Sequence, residues 1–292
     1  MSALASKPAR STPPRFPWLR KFFREPLGIF GFIIVVVLVL GAVFAPYLTD
    51  YAPNALDIKS RLAKPSSEHW LGTDHLGRDT FTRVLYGGRV ALKVAAWSIS
   101  LALLGGVLLG MLAGYGPRWL DNLLILIFDA VRSFPTIMFA LAIITLTGPS
   151  INMVIMVIVI TSIPVYARIV RAQTMALRES EFVLAARSVG TSWFRMLYLH
   201  ILPNVIGPLL ILASMDIPVV VTIESGLSFL GLGVRPPTAS WGTVLADGYA
   251  YVRNTPWLLV AGGVPLILTT LGFTFMGEAL RDVFDPTLQK RD

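Results

Sequence analysis

Four stretches of this chain run for 24 residues or more without a formal charge, and no other feature limits the fold as strongly. Residues 26–49, 94–117 and 254–277 are such stretches of 24 each. At a rise of about 1.5 Å per residue each makes a helix of roughly 36 Å, longer than the ~30 Å thickness of a bilayer's hydrocarbon core. The fourth, 133–167, is too long for one crossing, and Gly148-Pro149-Ser150 divides it. A soluble domain coats its surface with charge, on the order of 25% of its residues. Here 14% are charged and 54% are hydrophobic. That balance excludes a soluble globular domain, and the hydrophobicity excludes a disordered chain. The class is an all-α, polytopic membrane protein.

Six spans follow, at about 26–49, 94–117, 122–146, 151–169, 205–228 and 254–277. Residues 1–25, basic and rich in proline, read as a disordered cytoplasmic tail ahead of a transmembrane domain at 26–292. A cleaved signal peptide is the rival reading of the first span, but the long basic lead and the long apolar core favour a retained anchor. In the second span Gly106, Gly110 and Gly114 recur at four-residue spacing, a face that lets another helix approach closely in lipid. The fifth span carries Asp216 and Glu224, and Pro218 between them predicts a kink.

An even number of spans puts both termini on one side. Lys7, Arg10, Arg15, Arg20, Lys21 and Arg24 precede the first span, and Arg168, Arg171, Arg178, Arg187 and Arg195 lie at or within the loop between the fourth and fifth. The positive-inside rule places both groups in the cytoplasm. The first outer loop is basic as well, so this orientation rests on the tail and the inner loop. The net charge of +8 is therefore largely a topology signal. Scattered along helix ends and not gathered with stacking aromatics, these residues do not make a nucleic-acid surface. The absence of cysteine excludes disulfides, thiolate metal sites and cysteine nucleophiles. No lysine follows a glycine, so there is no Walker-type phosphate loop.

The loop at 175–204 is far longer than a turn between two spans requires, and loops of that length usually carry function. Within it Ser180 is a good N-cap for a run of helix formers that ends near Gly190. A pair of amphipathic helices lying on the membrane surface is the plain reading. However, Glu181, Ala185, Ala186 and Gly190, followed by Ile201-Leu202-Pro203, resemble the EAA loop of the membrane subunits of ATP-binding-cassette importers. The resemblance implies a type I importer permease fold and a coupling helix that docks on a cytoplasmic ATPase. Glu181, Ala185, Ala186, Arg187, Gly190 and Pro203 are the docking residues it implies. Small side chains at Ala185 and Ala186 suit deep seating, Gly190 suits a sharp exit, and Glu181 offers a carboxylate for capping or pairing.

Two further segments are similar to those of the C-type permeases of the dipeptide/oligopeptide/nickel importers. One is Leu71-Gly72-Thr73-Asp74-His75-Leu76-Gly77-Arg78-Asp79, followed by Arg83 and Tyr86-Gly87-Gly88-Arg89. The other is Leu227-Ser228-Phe229-Leu230-Gly231-Leu232-Gly233-Val234, followed by Pro236-Pro237 and Ser240-Trp241-Gly242. Gly72, Asp74, Gly77, Arg78, Asp79, Gly231, Gly233 and Trp241 thereby become candidates for the side that meets a substrate-binding protein. The resemblance also implies a homologous B-type permease as partner, two cytoplasmic ATP-binding subunits that hold the ATP and magnesium, and residence in a bacterial inner membrane. Short peptides are the first choice of cargo, ahead of nickel chelates, glutathione, opines and sugars. An ion-gradient transporter and a non-transporting scaffold are the rival classes. The coupling loop, with no inverted repeat evident, weighs against the first, and copurification of two ATPases would dispose of the second.

An ionisable group at mid-membrane costs about 2.5–3.5 kcal/mol on insertion scales, so each one is a candidate. Asp129 and Arg132 stand at ion-pair spacing on the third span and read either as a structural pair or as lining for the path of a charged substrate. Asp216 and Glu224 are acids that would meet a cationic group of the cargo. His69 and His75 lie near Asp74 and Asp79, yet those acids belong to the motif and suit turn capping and pairing with Arg78, so no metal site is assigned. No nucleophile with a base and no carboxylate pair in a recognisable setting supports catalysis.

Overall fold

The computed structural model describes residues 21–284, so residues 1–20 of the expected tail lie outside the described residues. Residues 21–25 do not belong to a disordered tail. Phe22 is buried among Ala279 and Val283 at the far end of the chain. The long helices are α1 (Pro26–Val43), α2 (Thr80–Tyr115), α5 (Ile151–Arg178), α7 (Leu202–Phe229) and α9 (Pro256–Phe284). Between them lie α3 (Arg118–Arg132), α4 (Thr136–Thr147), α6 (Glu181–Ser188) and α8 (Trp241–Ala250). Among the described residues no strand forms, and five helices are long and apolar enough to cross a membrane.

The expected single helix over 122–146 is two. α3 and α4 meet at Ser133-Phe134-Pro135 with a bend of 84° and count together as a sixth crossing only if the bent pair is one span. Pro135 supplies no N–H, and its ring disfavours helical backbone at Phe134. At Pro218, by contrast, α7 stays helical from end to end.

Several helices outrun the uncharged windows that announced them. α2 begins at Thr80, fourteen residues before the expected 94, because Asp79 caps it: its carboxylate accepts from the Thr82 N–H at 2.7 Å. The charged residues Arg83, Arg89 and Lys93 therefore ride on the same helix as the span. α5 likewise continues past 169 to Arg178, and its start is capped by Ser150, which accepts from Met153. The turn before it depends on Gly148 at φ +87°, a left-handed conformation that favours glycine.

The bundle is organised around α2 against α5. A side chain at Gly106 would collide with Tyr166, one at Gly110 with Val170 and one at Gly114 with Thr174. The three glycines at four-residue spacing thus form the face on which α5 lies, as the sequence predicts. α1 and α9 meet in the same way, with Gly31 against the backbone of Gly272 and Met276. Two buried clusters fill the interior, one around Val94, Ile158 and Leu227 and the other around Met111, Tyr166 and Leu209.

Candidate functional site

Three regions gather the residues with chemical potential: the loop before α2, named the outer cap after its expected side of the membrane, a cavity inside the bundle, and the long loop between α5 and α7, named the inner loop on the same expectation.

The outer cap is built from the segment before α2. Gly72 at φ +69° and Gly77 at φ +75° fold the loop back on itself, which turns Asp74 inward. Asp74 is 1% exposed. One oxygen accepts from the Leu76 and Arg78 N–H groups, and the other faces Arg78 Nε at 2.5 Å and Arg83 Nε at 3.4 Å. Asp79 accepts from Thr82 and approaches His69 Nδ1 at 2.9 Å. The cap is tied to α8, where Arg78 reaches Asp247 at 3.4 Å and Trp241 Nε1 donates to the Val84 carbonyl at 2.8 Å. Trp241 lies against Gly87 and Gly88, where any side chain would displace it. Burial raises the Asp247 carboxyl above the ordinary range, opposed by the nearby His75, Arg83 and Arg78.

Asp74, Arg78 and Asp79, expected in a loop on the side that meets a binding protein, hold that loop together and do not stand on its surface. All three are buried and engaged by their own chain. Gly233, too, is structural, since the Ser228 hydroxyl fills the space where its side chain would be and accepts from the Val234 N–H. Gly231, at φ +77°, is exposed at the turn between α7 and α8. One oxygen each of Asp74 and Asp247 and one nitrogen of His75 come within 4.8 Å of one another. Both carboxylates already face arginines, so a cation entering there would compete with two fixed positive charges.

Inside the bundle a cavity of about 180 Å³ opens between α2, α4, α5 and α7 and the end of α3. Arg132 and Asp216 both line it, together with the polar side chains of Ser98, Thr136, Thr161, Ser162 and Tyr166. The Tyr166 hydroxyl donates to Asp216 Oδ2 at 2.7 Å. The other two intramembrane candidates are elsewhere. Asp129 does not pair with Arg132 as its spacing suggested but with Arg168 of α5, on an exposed face. Two residues on neighbouring helices can face each other more directly than two that are three apart on one helix. Glu224 is buried away from the cavity, where it accepts from Ser228 at 2.7 Å and Ser225 at 3.3 Å. The sequence did not single out Tyr166 or Ser98. Pairing of Tyr166 with Asp216 across two helices leaves no local signal.

In the inner loop, α6 runs from Glu181 to Ser188 with Ser180 at its N-cap position. The Ser180 hydroxyl does not cap the helix but donates to the Leu177 carbonyl, completing the end of α5. Gly190, at φ +82° and with open space around it, makes the exit. Val183 is 1% exposed and packs on the bundle. Ala186 is partly buried and packs inward, and Ala185 is exposed. Glu181 and Arg187 are exposed, as are the apolar Phe182, Leu184, Val189 and Phe194. A one-turn helix from Trp193 to Arg195 and a π-helical turn at Met196–Ile201 lead into α7, whose second residue is Pro203. The wider turn precedes a proline that has no N–H to give it.

Residues 106–290 match the family model described as binding-protein-dependent transport system inner membrane component, and residues 17–65 match that of the N-terminal TM domain of oligopeptide transport permease C. The dipeptide transport system permease protein DppC of Alkalihalophilus pseudofirmus is 38% identical over 276 residues, spanning 94% of this chain and 91% of that one. Among solved structures, the MetNI methionine ABC transporter in inward-facing conformations aligns with a TM-score of 0.57 at 18% identity, covering 70% of this chain and 97% of its own. An amino acid ABC transporter with histidines aligns with a TM-score of 0.51 at 16% identity, over 68% and 93% of the two chains. The fold is that of ABC importer membrane subunits.

Proposed function

The chain belongs to the family of binding-protein-dependent transport system inner membrane components, and from that premise we propose that it is the C-type permease of an ATP-driven importer of short peptides. It is a multi-pass membrane protein and a permease subunit within such a system. In the proposed assembly both termini face the cytoplasm of a bacterial inner membrane, and the path runs between this chain and a homologous B-type permease. ATP and magnesium sit on two cytoplasmic ATPases, each docked on one coupling helix, and a binding protein delivers cargo from outside. The names of the relatives support the peptide cargo.

One observation carries the coupling role. α6 buries Val183 against its own bundle and leaves Phe182, Leu184 and Val189 uncovered beyond it. An exposed apolar face of this kind, with charged Glu181 and Arg187 beside it, suits docking into a protein groove. ATP-driven closure of the ATPases then moves α6, and α6 moves the helices joined to it, because the two ends of the loop belong to α5 and α7.

The test is uptake of labelled dialanine by the complete complex in proteoliposomes, with its binding protein and ATP. Uptake that requires both is the expected result; a wild-type complex that takes up no dialanine would refute the peptide assignment. Gly190→Val strains a left-handed position without meeting any neighbour. It is expected to leave assembly and basal ATP hydrolysis intact while uptake is lost, and wild-type uptake in this variant would remove α6 from the coupling role.

A further inference from the structure

We propose that Arg132 and Asp216 form a recognition site inside the permease for the two charged ends of a zwitterionic cargo, Asp216 taking the ammonium group and Arg132 the carboxylate. The inference rests on the peptide reading and extends it to the membrane subunit itself.

Three observations converge on the cavity between α2, α5 and α7. The first is that it is lined by one cation and one acid that do not satisfy each other. Among the described residues Arg132 makes no hydrogen bond and no ion pair, and its near neighbour Asp129 is already taken by Arg168. The second is the state of Asp216. Tyr166, itself buried, holds one carboxylate oxygen at 2.7 Å and so fixes the group's orientation. Among the described residues the other oxygen has no partner. The third is Ser98, which lines the same cavity, is fully buried, and has a hydroxyl with no hydrogen-bond partner. Buried polar groups left unpaired are rare and ask for an explanation.

Charges are retained within a membrane protein where they serve a function or find a partner. A guanidinium is suited to a carboxylate because its planar fork donates two parallel hydrogen bonds. A carboxylate held by a tyrosine offers its remaining oxygen to an ammonium. The cavity of about 180 Å³ has room for a short main chain, and an extended dipeptide spans only about 7 Å. Apolar Ile99, Ile158 and Val220 complete the wall.

The experiment uses the membrane complex in nanodiscs, without its binding protein, and reads binding of three probes by saturation-transfer NMR: dialanine, N-acetyl-dialanine and dialanine amide. The wild type is expected to bind dialanine about tenfold more tightly than either blocked peptide. Arg132→Gln should bind dialanine and its amide equally, Asp216→Asn should bind dialanine and its N-acetyl form equally, and Arg132→Lys should keep the wild-type order. Basal ATP hydrolysis in each variant reports that the complex is folded. The inference is overturned if the wild type binds all three probes alike or none of them, or if the variants keep the wild-type preference. Dialanine uptake by the wild type with its binding protein is measured in parallel. Absence of uptake sinks the peptide reading as a whole, whereas intact uptake with unchanged preferences in the variants sinks this site alone.

Discussion

The outer cap and the inner loop carry the two strongest sequence motifs of the chain, yet they use their residues in opposite ways. In the cap, Asp74, Arg78, Arg83 and Asp79 are buried and spend their hydrogen bonds on one another, on the loop backbone and on α8. In the inner loop, Glu181, Arg187 and the apolar side chains around them are left open. A motif that is consumed by its own fold builds a platform, and one that is left unsatisfied seeks a partner. A partner that meets the cap therefore meets its exposed side chains, such as Trp70 and Leu76, and not the motif acids beneath them.

The sharpest way to break this contrast is Asp74→Ala. Two guanidiniums, Arg78 and Arg83, would be left facing each other with only the more distant Asp247 as counter-charge. Removing one member of a buried ionic network costs about 3–5 kcal/mol. The cap should detach from α8, visible as a large fall in the melting temperature of the purified complex or as failure to accumulate. An unchanged melting temperature, with loss only of binding-protein-stimulated ATP hydrolysis, would return Asp74 to the docking surface.

The next effect is expected on the inner side and in a different quantity. Phe182→Asp with Leu184→Asp places charges on the uncovered face of α6 while Val183 stays packed. Truncated interface anchors cost upward of about 2 kcal/mol in binding, roughly thirtyfold in affinity. Exposed substitutions away from packing change stability by only about 0.5 kcal/mol. Copurification of the ATPases should therefore fail while the permease melts as before. Parallel loss of thermal stability would show that this face is covered by the chain itself and that the two regions are alike after all.

The contrast also explains what could be read in advance. The uncharged windows located the helices because lipid forbids unpaired charge along a span, and the glycine row in α2 identified its partner face because small residues at one spacing have few other uses. The helix ends were hidden where charged residues continue a helix beyond the lipid, as Arg83, Arg89 and Lys93 do in α2. The break at Pro135 did have a signal, in the disfavoured backbone of the residue before a proline, but the apolar content on either side outweighed it. Pairings between helices were not legible at all. Nothing within the window around Asp129 says that Arg168 is nearer than Arg132, and nothing around Asp216 announces Tyr166. Burial of Asp74 likewise depends on a chain reversal at Gly72 and Gly77 that the motif contains but does not explain.

The smallest effect tests the surface between these two regions. Asp129 and Arg168 pair with side-chain exposures of 59% and 46%. If water reaches them, a double-mutant cycle with Asp129→Asn and Arg168→Gln should give a coupling of at most about 1 kcal/mol, read from the melting temperatures of the four complexes. A coupling well above that would mean that the pair is desolvated in the assembled transporter. Lipid or the partner permease would then cover this face, and Asp129 and Arg168 would join the cap as a network satisfied within the chain. A weak coupling leaves the pair as a solvated contact at the edge of the bundle. In that case Asp129 is held only weakly away from Arg132, and replacing Arg168 frees it to approach that guanidinium three residues along the same helix.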